Sequence, residues 1–260
     1  MVKAVFKEPR VLKIRQGVYP KYGERKEDFH RWVLDKVPVR SYKRILDIGA
    51  GSGEFLAKAL NYFADSDFVA MDLNPAMLKR AKKLATRPIS TVCTDVHHLP
   101  LSDKSINLVF ANHMLYYTDP EISLAEIARV MADDAILACT TNSRFNVKEI
   151  LELHSKVLSL DRTLSHNYSF DIENGQTFLS KFFSSIVLHL FTNRLIFNSK
   201  EKFMDFYSAL WIFVNQYGNL NLKLPKAVIE ERKGRMETLV ASIELPLIMD
   251  KTSGLFISSK

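Results

Sequence analysis

From residue 44 onward, short apolar runs alternate with longer amphipathic stretches, and this alternation constrains the fold more than any other feature. RILDIG (44–49), DFVAMDL (67–73), ISTVCTD (89–95), INLVFANH (106–113) and AILACTTN (135–142) are each apolar at the centre and bounded by polar or turn residues. Such runs suit strands covered on both faces. EFLAKALNYF predicts a helix beginning near Gly53, and Asn74 as cap with Pro75 in the first turn predicts another through AMLKRAKKLA. Repetition of this kind gives an α/β fold, a doubly wound and mainly parallel sheet.

After Asn142 the pattern changes. It predicts helices near 146–160 and 173–182 around a polar stretch at 161–171, then strand-like runs SIVLHLF (185–191) and RLIFN (194–198). Phe203, Phe206, Tyr207, Leu210, Trp211 and Val214 recur at helical spacing and predict one amphipathic helix over 200–217. GLFISSK (254–260) reads as a closing strand. No repeat and no Pro-, Gly- or Ser-rich linker divides the chain, so a single domain over 1–260 is expected. With 260 residues of which 47% are apolar, it has enough to fill a sheet core.

The opening residues MVKAVFKEPR are broken by charges, so no secretory signal is expected in them. No run approaches the roughly eighteen apolar residues of a membrane span. Cys93 and Cys139 sit inside apolar runs, which predicts buried reduced thiols and a cytoplasmic protein. The net charge of +7 is concentrated in residues 1–44, where thirteen Lys or Arg face five Asp or Glu. Solvated helix faces account for that excess; a nucleic-acid partner is the alternative reading.

The chemistry is concentrated in Asp47-Ile48-Gly49-Ala50-Gly51-Ser52-Gly53, where the first strand turns into the first helix. Small residues there let backbone approach a ligand, and the helix start offers free N–H groups. Nicotinamide and flavin enzymes place a glycine turn here too, but with GxGxxG spacing. Here the spacing is GxGxG, and Asp47 stands two residues ahead of the first glycine. A carboxylate so close to a pyrophosphate would repel it, whereas it suits a ligand bearing an ammonium group. Asp72, nineteen residues beyond Gly53, ends the second strand where a carboxylate can accept from ribose hydroxyls. Asp95 ends the third, placed for an exocyclic adenine amine, with Leu73 and Val96 as apolar faces for the ring. Any one of these acids alone reads as a cap or a turn residue.

ILDIGAGSGEF, MDLNPAML, CTDVHHLPLSDKSINLVFANHMLYY and EIARVMADDAILACTTN resemble consecutive motifs of the class I S-adenosylmethionine-dependent methyltransferases, over about residues 44–142. The resemblance implies a seven-stranded sheet whose last strand is antiparallel, with S-adenosyl-L-methionine as cofactor. It implies that Asp47, Gly49, Ala50, Gly51 and Gly53 line the methionine and ribose side, Asp72 the ribose, Asp95 the adenine, and Asn112 the methionyl group. Residues 1–43 would form an N-terminal cap and about 160–250 a substrate-side insertion. Met131-Ala132-Asp133-Asp134 departs from a Lys-Pro-Gly-Gly turn common in the family.

Methyl transfer from a sulfonium is an in-line displacement that positioning and water exclusion can accelerate without a dedicated catalytic group. A base is needed only for an acceptor that must lose a proton. The catalytic candidates are His113, Tyr116 and Tyr117, just past the fourth strand, with His113 first; His113 as a pocket wall is the competing reading, and His166 is a poorer candidate. The pair His97-His98 has no ligand spacing around it, so no metal is expected and solvated turn residues explain it. Phe170, Phe203, Phe206, Tyr207, Trp211 and Tyr217 are either core or the lining of an apolar pocket. No Asn-Pro-Pro-Tyr or Asp-Pro-Pro-Tyr clamp follows the fourth strand and there is no Pro-Cys nucleophile, which favours a small-molecule acceptor methylated on oxygen or nitrogen. An RNA methyltransferase using the basic first 44 residues, and a cofactor-binding protein without transfer, are the alternatives. Oligomeric state is left open.

Overall fold

The computed structural model of the protein describes residues 17–210 and 224–260. Their elements run α1 (Phe29–Lys36), β1 (Arg44–Ile48), α2 (Glu54–Tyr62), β2 (Asp67–Asp72), α3 (Pro75–Leu84), β3 (Ser90–Cys93), β4 (Ile106–Asn112), α4 (Pro120–Val130), β5 (Met131–Asn142), α5 (Lys148–Val157), α6 (Ile172–Leu179), β6 (Ser185–Phe197), α7 (Lys200–Ser208), α8 (Lys226–Ala241) and β7 (Leu247–Ser259).

Seven strands form one sheet in the order β3-β2-β1-β4-β5-β7-β6. β1 pairs in parallel with β2 and β4, β2 with β3, and β4 with β5, while β7 runs antiparallel to β5. The chain moves outward from β1 to β3 and then returns to the other side of β1 to lay down β4. Crossovers of opposite sense therefore diverge between β1 and β4, the place where open α/β sheets leave a crevice at their strand ends.

The strand period of two sorts the core. Ile45, Phe68, Ala70, Leu108, Phe110, Ile136 and Ile257 point to one face, against Trp32, Leu34, Leu56, Leu60 and Leu78 of α1, α2 and α3. Leu46, Ile48, Val69, Met71, Val109, Ala111 and Leu137 point to the other, against Leu124, Ile127 and Leu179 of α4 and α6.

The chain divides into two compact units. One comprises Glu27–Ser143, Tyr168–Phe191 and Ser253–Lys260, and it contains both of those cores. The other comprises Arg144–Asn167 together with the described parts of the segments up to Lys26 and of Thr192–Thr252. Its own core includes Ile150, Leu151, Leu195, Phe197, Phe203, Phe206, Tyr207, Met236 and Met249.

Several expectations change in detail. Runs 185–191 and 194–198 are one continuous strand, since neither Thr192 nor Asn193 breaks it and the Asn193 side chain instead accepts from the Arg25 backbone N–H at 2.8 Å. The closing strand begins at Leu247, seven residues earlier than expected. α8 lacks a clear apolar stripe, burying only Met236 and Val240, and so left no helical signal in the sequence. Of the helix expected over 200–217, Lys200–Ser208 is seen; Trp211, Val214 and Tyr217 lie outside the described residues, as do residues 1–16 of the basic N-terminal stretch. Cys139 is buried as expected but Cys93 is exposed, because β3 is an edge strand. Among the described residues no helix is long and apolar enough to cross a membrane.

Candidate functional site

The residues singled out at strand ends all lie in the unit that contains β1, and they gather at the carboxyl ends of β3, β2, β1 and β4. After β1 the backbone takes positive φ at Gly49 (68°), Gly51 (55°) and Gly53 (92°), so each alternate position of the turn needs a residue without Cβ strain. A Cβ on Gly49 would stand 2.9 Å from that of Met114, and one on Gly53 would stand 2.6 Å from Cα of Ala81 on α3. Gly53 is thus required for helix packing whether or not a ligand is present. At Gly51 the nearest atom to such a Cβ is 3.9 Å away, so the backbone there faces open space. Gly53 also caps α2 without a side-chain hydrogen bond, leaving the first-turn N–H groups available.

Asp72 holds this turn. Its Oδ2 accepts from the Gly51 N–H at 2.9 Å and its Oδ1 from the Asn74 N–H at 2.8 Å, while the Ala50 N–H donates to the Met71 carbonyl at 2.9 Å. A carboxylate offers about four lone-pair directions, so two such bonds leave acceptor capacity for hydroxyl donors. Leu73 is exposed and Val96 buried.

Asp47 is 1% exposed, and its Oδ2 has no hydrogen-bond partner. Burial, with the nearby charge of Asp72, pushes its pKa up to about 8. On the neighbouring strand the Asn112 Oδ1 accepts from the Thr140 hydroxyl at 3.2 Å, while its buried Nδ2 has no partner. An acceptor and a donor, each buried and unsatisfied, therefore flank the divergence of β1 and β4; each costs free energy until something pairs with it.

His113 follows with φ of 50°, held there by its N–H donating to the Thr140 carbonyl and hydroxyl, both at 3.1 Å. Its half-buried ring lies 5.4 Å from that of Phe29 and 6.3 Å from that of Tyr116. Tyr117 closes a single 3₁₀ turn, Leu115–Tyr117, with its ring 4.5 Å from that of Tyr116, which in turn lies 5.0 Å from Tyr168. Sequence reasoning missed Phe29, which also stacks on Trp32 at 5.7 Å, and His30, whose pKa burial and the Lys58 charge lower. The compact aromatic run Phe29-His30-Arg31-Trp32 was the available signal.

The remaining candidates are elsewhere. His166, in the second unit, is buried with Nε2 3.0 Å from the Asn146 carbonyl. Phe203, Phe206 and Tyr207 belong to that unit's core, and Phe170 is fully buried against Phe256. His97 is not the solvated turn residue expected: both ring nitrogens are engaged, one with Asp95 and one with the backbone of Asp119. Among the described residues no group of three or more His, Cys, Asp or Glu could hold a metal ion.

Residues 46–139 match the model of a family described as a methyltransferase domain. Over 108 residues the chain is 38% identical to the malonyl-[acyl-carrier protein] O-methyltransferase of Halorhodospira halophila, a match covering 40% of this chain and 37% of that protein. Residues 46–139 are thus similar to a methyltransferase domain. The solved structures similar to the chain agree in fold. A Bacillus halodurans protein superposes with a TM-score of 0.61 at 17% identity, covering 88% of this chain and 97% of that one. A Haemonchus contortus phosphoethanolamine N-methyltransferase, solved with S-adenosylhomocysteine, gives 0.53 at 14% identity, covering 89% and 52%. The chain spans well under half the length of the curated relatives it matches.

The strand-end residues suit an adenosyl-sulfonium ligand on their own chemistry. A buried acceptor without a partner, a buried donor without a partner, an open glycine position and an uncapped helix start all lie at the end of β1, on the turn between β1 and α2, or on the adjoining end of β4.

Proposed function

We propose that this protein transfers a methyl group from S-adenosyl-L-methionine to an oxygen or nitrogen of a small-molecule acceptor. The observation that carries the reading is Asp47, a buried carboxylate with an unpaired oxygen beside a glycine turn, at the sheet's switch point. Asp47 would hold the ammonium, Asn112 the carboxylate of the methionyl group, and Asp72 the ribose. Gly49, Ala50, Gly51 and Gly53 would supply the close backbone, and Leu73, Asp95 and Val96 the adenine site. When bound, the cofactor supplies a methyl group on a positively charged leaving group, so the acceptor needs only in-line approach.

On the acceptor side, Phe29, His113, Tyr116 and Tyr117 form an aromatic wall that excludes water and orients. His113 or Tyr117 would take a proton from an acceptor that must lose one. The names of the relatives support a carboxylate oxygen as the first acceptor class to try. Residues 44–142 would be the cofactor-binding part of one working domain, with acceptor choice set outside it, in 1–43 and 160–250. We place the protein in the cytoplasm, a reading supported by its two unpaired cysteines.

The test is incubation with methyl-labelled cofactor and a panel of carboxylic acids, phenols and amines. Label in an acceptor, lost in Asp47→Asn, is the expected result; binding without label in any acceptor would leave a cofactor-binding protein. Label entering tRNA or rRNA, with binding that falls steeply with salt, would instead favour the basic segment as an RNA-holding arm.

A further inference from the structure

We propose that His97 is a positioning residue that fixes the adenine-facing carboxylate of Asp95 and ties it to the acceptor side of the site. The inference rests on the reading of Asp95 as acceptor for the adenine amine. The His97 Nε2 accepts from the Asp119 backbone N–H at 3.1 Å, so that nitrogen carries no proton and the ring proton sits on Nδ1. Nδ1 is 2.8 Å from Asp95 Oδ1, and the backbone N–H of His97 reaches the same oxygen at 3.0 Å. Two donors from one residue thus settle on Oδ1 and leave the capacity of Oδ2 for a ligand. The Asp95 side chain is 49% exposed, so without these bonds it would sample several rotamers.

The other end of the ring is anchored as firmly. Asp119 is the N-cap of α4, its Oδ1 accepting from Glu121 and Ile122 at 3.0 and 3.1 Å. The residue before it, Thr118, donates from its hydroxyl to the Leu115 carbonyl at 2.8 Å, at the start of the turn that carries Tyr116 and Tyr117. One imidazole therefore spans from the end of β3 to the turn after β4.

The experiment compares binding of S-adenosylhomocysteine with that of its 6-oxo counterpart, S-inosylhomocysteine, by calorimetry. A carboxylate accepts from the 6-amine but faces another acceptor in the 6-oxo base, so the wild type should prefer the amine roughly tenfold or more. His97→Phe keeps the ring's bulk and removes both nitrogens, and His97→Ala serves if the larger ring disturbs folding. Either should shrink the preference to within about threefold. His97→Asn can donate from its side chain to Asp95 without reaching Asp119, and should restore it; a merely structural role would not produce that rescue. Loss of the preference in Asp95→Ala but full retention in both His97→Phe and His97→Ala overturns the positioning role while leaving the adenine reading intact. Retention in Asp95→Ala overturns the adenine reading, and the proposal with it.

Discussion

Asp47 is the residue whose environment says most. Its side chain is raised to about 8 by burial and by Asp72, so at neutral pH it is largely protonated, and a ligand ammonium would pull it to the charged form. Cofactor binding at pH 7 should then release close to one proton, seen as a dependence of calorimetric heat on the buffer's ionisation enthalpy, and Asp47→Asn should abolish the release. Asp72 would have two roles at once. Asp72→Ala should weaken S-adenosylhomocysteine binding by roughly 1.5–3 kcal/mol through lost ribose acceptors, and it should also lower the melting temperature, because the Gly51 and Asn74 N–H groups lose their partner. His113→Gln separates base from wall. A fall in turnover of roughly 10²–10⁴-fold at unchanged cofactor affinity is the signature of a base, whereas a loss confined to acceptor affinity is that of a wall. The ring contact with Phe29 supports the wall.

At the scale of elements, the α2–α3 contact depends on one missing methyl group. Gly53→Ala forces a side chain onto Ala81 at a φ of 92° and should destabilise the protein by about 2–4 kcal/mol, read from denaturant unfolding. The sequence made the parallel half of the sheet legible because β1, β2 and β4 are buried on both faces and helix starts carry their own punctuation, as at Asn74-Pro75. The same punctuation stood at Asp119-Pro120, where Asp119 caps α4, and it could have been used. α8 was not legible, since an apolar period too weak to see is also too weak to predict from. The three acids at strand ends were legible by spacing. His97 was not, because its partners Asp95 and Asp119 are two and twenty-two residues away, and only the fold brings both to one ring.

For the whole molecule, the raised Asp47 carboxyl sets a slope of stability with pH. Below about 4 both folded and unfolded chains carry this proton, and no cost arises. Between about 4 and about 8 the native state holds a proton the unfolded chain gives up, so this group's contribution falls by up to about 1.4 kcal/mol per pH unit, and above about 8 the loss is constant. Thermal melts of wild type and Asp47→Asn should accordingly diverge between pH 5.5 and pH 8, with the variant gaining at the higher pH. Equal gains at both would show that the carboxyl ionises as freely in the folded chain as in the unfolded one.

The bonds from Asp72 to Gly51 and Asn74 carry one more consequence. A turn already held in shape by its own chain has no ordering step left to perform when a ligand arrives, so capture should proceed at the ordinary pace of an oriented encounter. For the proposed transfer, discrimination between fresh donor and spent product would then reside in how long each one stays.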